Sequence, residues 1–138
     1  MKEHLERFHP SLAGKHILFV DRSMFTPGFV SHMTRLEKMK VTQYDNLQYI
    51  PDLANCMESK NIDFAIIHNI ALGEADKIIE AVKRGKIIIV QEKNSDIELN
   101  LKFNQQLQNA GVKTFPRCEP DLDKAFRRCL DYLATLSP

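Results

Sequence analysis

Four short stretches carry side chains from which a catalytic or binding site could be assembled: Asp21-Arg22-Ser23, His68-Asn69, Gln91-Glu92-Lys93 and Pro116-Arg117-Cys118. Asp21 offers a hard oxygen ligand for a divalent cation. His68 could act as a base, a ligand or an acceptor of a phosphoryl group. Cys118 is a thiol that becomes nucleophilic where its surroundings favour the thiolate. Each group also has a plainer role. Asp21 can bond local N–H groups as a turn or helix-cap acid. His68 can be a hydrogen-bonded residue at a strand end. Cys118 has no His beside it in sequence, and Cys is commonly a small buried hydrophobe.

The loop signatures that cradle cofactors are missing. The sequence holds no GxGxxG after an apolar run, no GxxxxGK[ST] and no GxSxG elbow. Only five glycines occur, and none lies between Asp21 and Gly28, so a phosphate-binding loop after the first strand has no support. The three cysteines, Cys56, Cys118 and Cys129, lack CxxC spacing, which indicates neither a disulfide framework nor a zinc site. No cofactor and no metal are expected.

The elements that must position these residues follow from hydrophobic patterning. Five apolar runs read as strands: His16–Asp21, Lys40–Tyr44, Asp63–His68, Lys86–Gln91 and Val112–Phe115. Between and after them come helical stripes. Phe25, Phe29, Met33 and Leu36 mark one, starting near Pro27 and ending around Lys38-Met39-Lys40. Ile50, Leu53, Ala54 and Met57 mark a second, with Pro51 in its first turn. Ala75, Ile78, Ile79 and Val82 mark a third, closed by a glycine cap at Gly85. Leu99, Phe103 and Leu107 mark a fourth, capped by Asn94 or Ser95 and closed near Gly111. Leu122, Ala125, Phe126, Cys129, Leu130 and Leu133 give the cleanest stripe, the fifth.

Strands alternating with helices call for a parallel sheet covered on both faces. Strand polarity then assigns places. The first, third and fourth runs are almost wholly apolar, whereas the second and fifth carry polar residues at alternate positions. Central strands buried on both faces and half-exposed edges fit the order 2-1-3-4-5. The expected fold is therefore an α/β, flavodoxin-like three-layer sandwich, with a five-stranded parallel sheet and five helices. In such a sheet ligands gather at the carboxyl ends of the strands, where all four candidate stretches fall.

A length of 138 residues suits one domain with a sizeable core. Residues 1–11 read as a charged, partly ordered lead-in and 12–138 as the domain. Nineteen Lys and Arg against eighteen Asp and Glu provide no footprint for nucleic acid or an anionic membrane. No apolar run is long enough to span a bilayer, and the charged N-terminus does not resemble a signal peptide. Unpaired cysteines fit a reducing compartment, so a cytoplasmic location is expected.

The run Leu12-Ala-Gly-Lys-His-Ile-Leu-Phe-Val-Asp21 resembles the entry into receiver domains of two-component response regulators and hybrid sensor histidine kinases. Asp63-Phe-Ala-Ile-Ile-His68 is similar to their third strand, and Ala110-Gly-Val-Lys-Thr-Phe115 to their fifth. Receivers place two adjacent acids after strand one, a phosphoacceptor aspartate at the end of strand three and a switch Ser or Thr ending strand four. A lysine before a cis-proline follows strand five. The resemblance puts Asp21 and Arg22, His68, Gln91, and Cys118 with Glu119 at those positions, with Arg117 and Pro120 shifted by one.

Of that set Asp21 alone matches. Phosphoryl transfer to a carboxylate needs the acceptor oxygen and a divalent cation. One aspartate beside Arg22 is a poor magnesium site, because the guanidinium competes for it. The resemblance therefore implies a degenerate, non-enzymatic pseudo-receiver of a two-component or phosphorelay system, either free-standing or a segment of a hybrid kinase. It would act by contact with a protein partner or with other domains of a sensor kinase, or as a homodimer through its last two strand–helix elements. Lys113, Arg117, Asp123, Arg127 and Asp131 would lie on that face. The alternative is a small flavodoxin-like enzyme or ligand-binding domain using Cys118, His68 or a bound nucleotide or flavin.

Overall fold

The structure, a computed structural model, describes residues 10–20, 35, 38–44, 47–68, 75–91, 105–115 and 122–136. Five strands form one sheet: β1 (His16–Val20), β2 (Lys40–Tyr44), β3 (Phe64–His68), β4 (Ile87–Gln91) and β5 (Lys113–Phe115). All neighbours are parallel, in the order β2-β1-β3-β4-β5. The expected architecture is present. Among the described residues four helices are seen rather than five: α1 (Leu53–Ser59), α2 (Ala75–Lys83), α3 (105–109) and α4 (Leu122–Leu136). The stripe on Phe25, Phe29, Met33 and Leu36 lies outside those residues, although Arg35 within its span is helical. Short 3-10 turns stand at Pro10–Leu12 and Leu47–Tyr49.

Both faces of the sheet are buried because successive strand side chains point to opposite sides and each side has a helical layer. On one face Leu18, Val20, Ala65, Ile67, Ile88 and Val90 pack with Leu53, Ala54 and Met57 of α1, Ala75, Ile78 and Ala81 of α2, and Leu107 of α3. On the other, Ile17, Phe19, Phe64, Ile66 and Ile89 pack with Leu12 and with Cys129, Leu130 and Leu133 of α4. Full burial of one such aliphatic side chain contributes roughly 1.5–3 kcal/mol. The outer strands differ as expected: no residue of β2 is fully buried, and in β5 Thr114 alone is.

Three of the helices, α1, α2 and α3, end by one repeated device. After α1, Ile62 N donates to Met57 O (2.8 Å) and Asn61 N to Glu58 O (3.2 Å), with Asn61 at φ 55°. After α2, Lys86 N reaches Ala81 O (3.0 Å) and Gly85 N reaches Val82 O (2.9 Å), with Gly85 at φ 89°. After α3, Val112 N reaches Leu107 O (3.0 Å) and Gly111 N reaches Gln108 O (3.0 Å), with Gly111 at φ 95°. This is the Schellman pattern, in which one left-handed residue lets two outer amides close on the last helical turn. The expected caps at Gly85 and Gly111 are both present. Lys38, at the expected helix end before β2, is also left-handed, at φ 61°.

Several boundaries shift for identifiable reasons. Pro51 stands before α1 and not in its first turn, because Asp52 is the N-cap and its Oδ1 accepts from Asn55 N at 2.9 Å. Lys86 and Val112 lie just ahead of β4 and β5, since their amides serve the Schellman bonds. Asp63 precedes β3, where its amide donates to His16 O at 2.7 Å and its Oδ2 accepts from His16 N at 2.8 Å.

Candidate functional site

The strands end together along the carboxyl edge of the sheet, at Tyr44, Val20, His68, Gln91 and Phe115. Val20 lies in register with Tyr44 on one side and Ile67 on the other. One step further along, His68 is in register with Gln91, and Gln91 with Phe115. The backbone therefore brings positions 68 and 91 side by side on central strands. For these two residues the structure describes the main chain alone. Asp21, Arg22 and Cys118 lie outside the described residues, as do Ser23, Asn69, Glu92, Lys93, Pro116 and Arg117.

Beneath this edge the floor is apolar. Val20, Ile67 and Val90 face one helical layer and Phe19, Ile66 and Ile89 the other, all almost fully buried. Thr114 is the buried polar residue among those described, and its Oγ1 accepts from Gln108 Nε2 at 2.7 Å, so it is satisfied between β5 and α3. Among the described residues no group of three or more His, Cys, Asp or Glu could hold a metal ion.

The amino edge carries a polar cluster that sequence patterning did not single out. The His16 ring, half-buried, places Nδ1 3.1 Å from Lys60 O and Nε2 2.6 Å from Thr42 Oγ1. Because a carbonyl can only accept, Nδ1 carries the hydrogen, and in the neutral ring Nε2 accepts from the Thr42 hydroxyl. Together with the main-chain bonds to Asp63, His16 ties β1 to β2, to the end of α1 and to the entry of β3. A His opening an apolar run was the visible signal. Its partners are 26 and 44 positions away, on β2 and at the end of α1, and meet it only in the folded chain.

A second grouping lies where β5 meets α4. Lys113 Nζ stands 5.1 Å from the Phe115 ring centroid and 5.2 Å from that of Tyr132, while Arg128 Cζ stands 4.2 Å from Phe115. Cations over ring faces at these distances are attracted by the ring quadrupole. Of the residues expected on this face, Lys113 and Arg127 are half-buried and Asp131 is exposed. The side chains of Arg117 and Asp123 lie outside the description. The aromatic partners were missed, although Lys113 with Phe115 at i, i+2 on a strand and Arg128 with Tyr132 at i, i+4 on a helix share faces by period alone.

Comparison with known proteins adds information about the fold. No protein-family model matches the chain, and no curated protein matches it. Among solved structures it is similar to a Burkholderia pseudomallei protein described as pilus assembly-related, at 17% identity and a TM-score of 0.52, over 95% of this chain and 96% of that one. The likeness, at that identity, is one of fold alone: a flavodoxin-like α/β sandwich. No described helix is long and apolar enough to cross a membrane.

Proposed function

We propose that this chain is a degenerate receiver-like signalling module that takes no phosphoryl group and works through protein–protein contact. The observation that carries this reading is the pairing of positions 68 and 91 at the carboxyl edge. Two central strands end there side by side, where a receiver needs an acceptor carboxylate and a switch hydroxyl, and here they present His68 and Gln91. With Arg22 in place of the second acid after β1, the negative charge needed to seat a divalent cation is missing. The fold remains, and with it the surfaces by which such modules meet their partners. The face formed by β5 and α4, with Lys113, Arg127, Asp131 and the cation-flanked rings of Phe115 and Tyr132, is the one we assign to partner or self contact. The reading places the module in the cytoplasm, alone or as part of a larger sensor kinase.

The test is direct. The protein is incubated with acetyl phosphate and magnesium, and separately with beryllofluoride and magnesium, beside an ordinary receiver as positive control. No mass shift and no change in the amide NMR spectrum are expected. A stable aspartyl adduct, or acid-labile phosphate on His68, would overturn the proposal.

A further inference from the structure

We draw no further inference here: the strongest candidate, the cation–ring cluster of Lys113, Phe115, Arg128 and Tyr132 where the edge strand β5 meets α4, belongs to the contact face already proposed, and nothing in the structure shows what covers it.

Discussion

At the amino edge of the sheet the turns into β3, β4 and β5 are each closed by a left-handed residue and a pair of backbone bonds, and His16 joins three elements by its side chain. At the carboxyl edge the strands stop in register above an apolar floor built from Phe19, Val20, Ile66, Ile67, Ile89 and Val90. The contrast teaches where this architecture stores its stability and where it leaves freedom. Among the described residues, hydrogen bonds tie the amino edge and apolar packing fills the two core faces; under the proposed reading the carboxyl edge is the part left free to vary.

The contrast can be broken by substitution. Leu12 sits at the amino edge, completely buried against α4. Leu12→Ala should lower unfolding free energy by about 2–5 kcal/mol, measured by urea titration, because a cavity opens beneath the helix. A loss below about 1 kcal/mol would show that Pro10–Leu12 is dispensable. Gly85→Ala isolates the backbone term, since an added Cβ would meet nothing within 4 Å. The left-handed φ should cost about 1–2 kcal/mol, read as a lower denaturant midpoint at unchanged m-value.

Smaller effects sharpen the same comparison. His16→Ala removes two side-chain hydrogen bonds from a half-buried site that water can partly resatisfy. Its expected cost is about 1 kcal/mol, with hydrogen exchange quickened first at the junction of β1 and β2. At the other edge, the double variant His68→Asn with Gln91→Ala should change stability by less than about 0.5 kcal/mol in the same titration. If this double variant lost more than Gly85→Ala, the carboxyl edge would be structural after all, and the account of its freedom would fail.

Much of this molecule was legible before any coordinates. The uninterrupted apolar runs at Ile17–Val20, Phe64–Ile67 and Ile87–Val90 read as strands covered on both sides, and the mixed polarity of Lys40–Tyr44 and Lys113–Phe115 as edges. That difference assigned edges and centre as the order β2-β1-β3-β4-β5 requires. Gly85 and Gly111 announced helix ends because glycine adopts positive φ without a steric penalty. Asn61 did not, since Asn serves equally well in turns, caps and exposed helix positions, and its left-handed φ shows only in the folded turn.

Site positions 68 and 91 were nameable from the run ends, but their adjacency depends on β3 and β4 pairing in a particular register. The His16 bonds and the contacts of Lys113 with Tyr132 and of Arg128 with Phe115 depend likewise on distant elements meeting. Patterning along a chain records which faces must leave water, because burial is a local demand on each residue. It does not record which polar groups will meet, because hydrogen bonds and ring contacts are set by distances between elements that only tertiary packing creates.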